Sequence, residues 1–379
     1  MKIVVAADSF KGSLSSMEAG TVIKNAIEKV MPDAEVCVRP LADGGEGTVE
    51  ALTSGMGGKL EKVTVTGPLE TPVECIYGIL ENCKTAVIEM SGAAGITLVP
   101  KQNRNPLNTT TYGVGEVIKD AISKKCRHFI IGIGGSATND GGIGMLQALG
   151  YDILDKDEKQ VPFGAKGLKE IKTISDKSVL PALRECTFKI ACDVTNPLCG
   201  AQGCSTVFGP QKGATPDMIA QMDRWLARYA ELTVRKYPCA NANHPGTGAA
   251  GGLGFAFLSY TNAVLTSGIQ IVLEVTKLED FIQSADLVVT GEGRLDEQTL
   301  LGKAPIGVAK AAKKCGKKVI AFSGCATAGA TACNMHGIDA FFPILRDVQT
   351  RSEAMKPENA GKNLSATVEQ VFRLIECFL

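Results

Sequence analysis

Histidine, paired cysteine motifs and long apolar runs are what this chain lacks. It has three histidines (His128, His244 and His336) and thirteen cysteines, with no two cysteines spaced as CxxC, so neither a zinc site nor a redox dithiol is spelled out. The cysteines read as small core residues. No window holds about 18 uninterrupted apolar residues, and the start of the chain carries no charged region followed by an apolar segment, which leaves no helical membrane span or secretory leader to expect. A cytoplasmic location, where free thiols persist, is the expectation. Forty basic residues balance forty acidic ones, and the best basic run, Lys124 to His128, is short and without interleaved aromatics. Nucleic acid and membrane surfaces are therefore not expected as partners. Neither GxxxxGK[ST] nor GxSxG occurs, which sets aside P-loop enzymes and serine hydrolases.

What is present is glycine, 42 residues of it, gathered with Asp, Ser and Lys behind short apolar runs. Lys2 to Ala7 leads into Asp8, Ser9, Lys11, Gly12 and Ser13. Val36 to Leu41 leads into DGGEG, Asp43 to Gly47. Phe129 to Ile131 leads into GIGGSATNDGG, Gly132 to Gly142, and Phe188 to Ala191 leads into Asp193, Thr195 and Asn196. The fifth corner is GEGRLDEQTLLGKAP, Gly291 to Pro305, behind Leu287 to Thr290. Corners of this kind grip polar ligands through backbone N–H groups and small side chains, and phosphate is the usual ligand.

The first forty residues read β-α-β: strand Lys2 to Ala7, helix Ser16 to Val30 behind a Ser15/Glu18 capping box, strand Glu35 to Val38. The last hundred repeat that syntax, with strands near Leu287 to Thr290, Lys318 to Phe322 and Ala340 to Pro343, and helices near Lys303 to Lys314 and Ser365 to Cys377. Alternation of this kind predicts a parallel sheet. The middle differs. Val73 to Leu80 and Thr85 to Met90, around Glu81 to Lys84, predict a hairpin, and Tyr151 to Leu154 with Gln160 to Val161 predict a second. Pro216 to Lys236 has the apolar spacing of an amphipathic helix. The expected fold is α/β in two domains: a parallel-sheet, Rossmann-like domain from residues 1–67 and 274–379, and an inserted mixed-sheet α/β domain, 68–273.

Each corner has a functional reading and a plainer one. In Gly291 to Pro305, Glu292, Arg294 and Asp296 are expected on a strand-to-helix turn, as a reaction site or as a solvated ion pair. Lys11 near a helix start suits an anionic group but is as often solvated. Asp43 and Glu46 suit magnesium or a substrate hydroxyl, or simply a helix dipole. Asp193 and Asn196 suit a general base with a positioning partner, or an Asx-turn. Gly132, Gly134 and Ala137 fit GxGxxA, but Thr138 to Gly142 prolong the loop and no acid answers about 20 residues on outside the second hairpin, so an anion cradle fits better than a dinucleotide turn. Chemistry built on carboxylates, Lys and Arg matches phosphoryl transfer.

The segments ADSFKGS (Ala7 to Ser13), LADGGEGT (Leu41 to Thr48), GIGGSATNDGG, CDVTNPLCG (Cys192 to Gly200), GTGAAGGLG (Gly246 to Gly254) and GEGRLDEQTLLGKAP resemble, in order and across nearly the whole chain, the bacterial-type glycerate kinases. The resemblance implies ATP-dependent phosphorylation of D-glycerate at the 2-hydroxyl, with Mg2+. Individual roles rest on chemistry. Lys11 and Arg294 are assigned to the glycerate carboxylate or the transferring phosphoryl group, Asp193 to the base, and Asp43 and Asp296 to metal or substrate hydroxyls. Ser9 and Asn196 are assigned to substrate, and Gly134, Gly135, Ser136 and Thr138 to the ATP phosphates. A nicotinamide-dependent dehydrogenase and a metabolite-binding regulator are the alternatives. The oligomeric state stays open, a homodimer included.

Overall fold

A computed structural model describes residues 1–80 and 84–379. In chain order the strands are β1 (Lys2–Ala7), β2 (Glu35–Val38), β3 (Lys59–Thr66), β4 (Pro72–Leu80), β5 (Thr85–Glu89), β6 (His128–Gly132), β7 (Asp152–Leu154), β8 (Thr173–Ser175), β9 (Thr187–Ala191), β10 (Ala263–Thr266), β11 (Leu287–Leu295), β12 (Lys318–Ala326) and β13 (Ala340–Pro343). The chain divides into two compact units: Met1–Asp43, Glu50–Met56 and Ile269–Leu379 form the first, and Gly44–Val49 with Gly57–Gly268 the second.

The first unit is built on a five-stranded parallel sheet in the order β13-β12-β11-β1-β2. From β1 the chain steps to β2 on one side and later fills β11, β12 and β13 on the other. The order therefore reverses between β1 and β11, and in open α/β sheets that switch point is where ligands bind. The helix Ser16–Val30 starts at the expected capping box, with Ser15 accepting from the Glu18 amide and Glu18 answering the Ser15 amide. Its Ile23 and Ile27 are fully buried with Leu364, Val368 and Phe372 of the helix Pro357–Glu376. Each such side chain contributes about 1.5–3 kcal/mol of transfer free energy.

The sequence places the end of β11 at Thr290, whereas the strand continues to Leu295. The extension is held by pairing with β12, Arg294 opposite Cys325 and Leu295 opposite Ala326. Glycines allow it, because a Cβ on Gly291 would lie 2.4 Å from the Phe322 carbonyl oxygen. Glu292 and Arg294 thus stand two residues apart on one strand face, rather than on a turn.

The second unit carries a six-stranded mixed sheet, β10-β9-β6-β5-β4-β3, parallel from β10 to β5 and antiparallel from β5 to β3. The β4–β5 pairing is the first predicted hairpin; of its expected turn, residues 81–83 lie outside the described residues. The second hairpin forms, but is minimal: Leu154 and Gln160 share one antiparallel bridge, with the Asp155 amide on the Lys159 carbonyl and the Val161 amide on the Ile153 carbonyl, and β7 also pairs with β8. The Gln160 side chain adds to it, its amide donating to the Tyr151 carbonyl and its oxygen accepting from the Ile153 amide. The division between the units falls at Met56/Gly57 and Gly268/Ile269 where the sequence suggested 67/68 and 273/274, because β3 pairs along its whole length with β4.

The helix Pro216–Lys236 matches its predicted span, capped by Thr215, and buries Met222, Leu226 and Tyr229. At the carboxyl edge of the parallel strands, Gly44 has φ +83° and leaves no room: a Cβ there would lie 2.6 Å from the Ala191 Cβ and 2.8 Å from the Gly268 Cα. Gly44→Ala is expected to cost about 2 kcal/mol or more from overpacking and left-handed backbone strain together. A calorimetric Tm equal to that of the parent would refute this.

Candidate active site

In the first unit, the site forms where β1 and β11 end side by side. Ala7 pairs with Gly291, and the Asp8 amide continues the ladder onto the Gly291 carbonyl at 2.8 Å. Asp8 is buried, 4% exposed. Burial, with the Asp43 carboxylate next, pushes its carboxyl up to about 7 against the Ser9 amide and Lys11. The Lys11 ammonium reaches Asp43 at 3.0 Å. Burial works against its charge, but Asp43, Asp8 and Glu292 outweigh that and raise its pKa.

Glu292, 7% exposed, accepts from the Thr299 hydroxyl at 2.6 Å, and burial raises its pKa. Arg294 pairs with Asp296 at 3.2 Å. Lys303, just before the helix Ala304–Lys314, lies 3.8 Å from Glu292 and 3.9 Å from Asp296. Cations and carboxylates alternate along this chain of contacts. Beside it opens a cavity of about 580 Å3 whose charged lining is Lys11, Arg294, Lys303, Arg351 and one carboxylate, Glu292. Ser9 also lines it. Its lining thus carries four cationic groups against one anionic group, a balance that suits an anionic ligand.

In the second unit, β5, β6, β9 and β10 end in register, Glu89 beside Gly132, Gly132 beside Ala191, Ala191 beside Thr266. Glu89 accepts from the Val49 amide at 2.9 Å, and burial raises its pKa. The loop after β6 exposes Gly134 and Gly135. A Cβ at Gly134 would meet nothing within 4 Å, so its backbone stands open to an approaching group, and Gly135 has φ +70°. The loop is anchored from behind: the Gly135 carbonyl accepts from the Ile96 amide, and the buried Asp140 accepts from the Thr111 amide and hydroxyl and the Gly142 amide. Beneath it, the Lys212 ammonium donates to the Ser136 hydroxyl at 2.8 Å and to the Thr138 carbonyl at 2.5 Å. Asp193, exposed behind β9, accepts from the Gly268 amide at 3.1 Å, and Asn196 donates to the Gln202 carbonyl at 2.8 Å.

The predicted residues thus fall into two groups. Ser9, Lys11, Asp43, Arg294 and Asp296 gather in the first unit; Gly134, Gly135, Ser136, Thr138, Asp193 and Asn196 belong to the second. Thr138 is fully buried, so its side chain is not open to a phosphate as the sequence suggested. Sequence reasoning passed over Asp8, Lys303 and Lys212 as site residues. Asp8 is the first residue beyond β1, a position that marks it once the strand is recognised; Lys212 sits in no motif.

A profile of the glycerate kinase family matches residues 3–376. The chain belongs to that family. Among its relatives, the glycerate kinase of Haemophilus influenzae is 46% identical, the match covering 99% of each chain. The glycerate 2-kinase of Escherichia coli is 44% identical over 97% of this chain and 98% of its own. A crystal structure described as glycerate kinase 2 from Salmonella typhimurium LT2 superposes with a TM-score of 0.92 at 45% identity, covering 100% of this chain and 98% of that one. The α/β fold with one parallel and one mixed sheet is therefore the fold of a glycerate kinase. No helix among the described residues is long and apolar enough to cross a membrane.

Proposed function

We propose that this enzyme transfers the γ-phosphoryl group of ATP to the 2-hydroxyl of D-glycerate, giving 2-phosphoglycerate and ADP. The observation that carries the reading is the cationic cavity of the first unit. Glycerate is a small hydroxy acid and the migrating group is an anion, and Lys11 and Arg294 suit either its carboxylate or the phosphoryl oxygens. The 2-hydroxyl is favoured by the likeness to the Escherichia coli glycerate 2-kinase.

In this reading the open backbone at Gly134 and Gly135, with Ser136, cradles the ATP phosphates. The glycerate hydroxyl oxygen attacks the γ-phosphorus, the bond to the β,γ-bridging oxygen breaks, ADP leaves, and the hydroxyl proton passes to Asp193. Asn196 and Ser9 hold the substrate's polar groups. Arg294 and Lys11 balance the charge on the transferring group, and Asp296 and Asp43 fix where those cations point.

Magnesium fits the donor set. Among the described residues no three metal-ligating side chains converge, but Mg2+ is ordinarily held by one or two carboxylates together with phosphate oxygens and water. Burial first, and the neighbouring Asp43 carboxylate second, push the Asp8 carboxyl up to about 7, and a hard cation beside the two carboxylates would relieve their repulsion. Asp43 and Asp296 would hold it, and its chemistry would be to neutralise phosphate charge. A cytoplasmic setting is consistent with the described cysteines, all of which are free thiols.

Phosphorus NMR of the purified protein with Mg-ATP and D-glycerate tests the reading. A 2-phosphoglycerate resonance growing with ADP is expected. A 3-phosphoglycerate resonance would overturn the regiochemistry, and absence of ADP formation would overturn the kinase.

A further inference from the structure

Lys212 is only 2% exposed, in the short turn Pro210–Lys212. Burying an ammonium group is costly unless a carboxylate pairs with it. Among the described residues none forms an ion pair with Lys212; Asp140 attracts it only at longer range, and its two hydrogen-bond partners, the Ser136 hydroxyl and the Thr138 carbonyl, are neutral. A positive charge is therefore stored, without a counter-charge, directly behind a loop whose outer face is open glycine backbone. The hydrogen bond also has a direction. Ser136 must accept from the ammonium, which frees the hydroxyl proton to donate elsewhere.

We infer that Lys212 is a positioning residue of the loop Gly134–Ser136: its buried ammonium orients the Ser136 hydroxyl as a donor and supplies the positive charge that a phosphate group on the loop neutralises. The inference rests on reading that loop as the cradle for nucleotide phosphates. Its pH dependence follows from the surroundings. Burial lowers the Lys212 pKa to about 8, opposed by the Cys204 thiol and Asp140, the two titratable groups that act on it. Burial pushes Cys204 up to about 11 and also raises Asp140 from the ordinary carboxylate value. Lys212 thus loses its charge as pH rises through about 8, and with it the hold on the anion.

The test is calorimetric titration with ADP of the parent protein, Lys212→Gln and Ser136→Ala, together with both KM values. Lys212→Gln keeps a donor and removes the charge, and its Tm is expected to be no lower than the parent's. Its affinity for ADP is expected to fall by about 10-fold or more, the usual scale for a hydrogen bond to a charged group, with KM for glycerate unchanged. Parent affinity should decline between pH 7.5 and 9.5, while Lys212→Gln stays flat, a signature that a purely structural lysine would not produce. A folded Lys212→Gln that binds ADP like the parent and also keeps the parent's KM for glycerate overturns the inference. If that variant does not fold, a parent ADP affinity constant over the same pH range overturns it instead. If both variants weaken glycerate and leave ADP untouched, the nucleotide cradle is wrong, but Lys212 still positions the loop for an anion, the glycerate carboxylate.

Discussion

Asp193→Asn is expected to lower kcat by about 100-fold or more, the scale at which a positioned general base contributes. The substitution separates chemistry from folding. Asp193 accepts a hydrogen bond from the Gly268 amide at 3.1 Å, and asparagine retains an acceptor oxygen for it, so the start of the helix Gly268–Val275 keeps its anchor. What disappears is the negative charge and, with it, the ability to take a proton. Single-turnover measurement of the chemical step, with Tm as a control, reads the two apart. Near-parental turnover would remove Asp193 from the mechanism and leave the Gly268 contact as its role.

Lys11→Met is the second large effect expected. Charge stabilisation in phosphoryl transfer is worth about 100- to 1000-fold for a single well-placed group, and Lys11 is one of four cations facing the cavity. Its ion pair with Asp43 at 3.0 Å contributes little to stability, because the lysine side chain is 59% exposed and such pairs are screened by water and salt. Steady-state kinetics should show kcat/KM for glycerate falling by about two orders of magnitude, with Tm nearly unchanged. Loss of Tm without loss of kcat/KM would make Lys11 a structural partner of Asp43 and nothing more.

The two ends of the chain were legible as one parallel sheet because local rules agreed there: a capping box, apolar runs of strand length and 3.6-residue spacing pointed to the same elements. The extent of β11 was not, since Gly291 and Gly293 read locally as a turn, and only the close approach of β12 makes them strand residues. In β3, the segment KLEKVTVT has charges where an apolar run was sought. It is one strand removed from the parallel core, with Lys59, Leu60 and Lys62 exposed or half-buried, so its burial pattern is weak. Lys11, Asp43, Arg294 and Asp296 of the first unit were recognisable from their motifs, whereas Asp8 and Lys303, in the same motifs, were passed over. Lys212 was not, because its significance lies in a contact with Ser136, 76 positions away in sequence, and in the missing counter-charge, neither of which leaves a local pattern.

The switch point between β1 and β11 also orders events during synthesis. Ile3 to Ala7 must wait for Leu287 to Gly291 as partners, and every remaining strand of that sheet except β2 is later still. Gly57–Gly268, by contrast, is nearly a complete unit in one continuous stretch. Chains emerge at about 5–20 residues per second and domains generally fold as units. The inserted unit can therefore mature on the ribosome while the leading strand, an almost wholly apolar hexapeptide, has only β2 to pair with and keeps its other edge open for many seconds. Its hold-up is the interval in which chaperone binding or misassociation competes with folding.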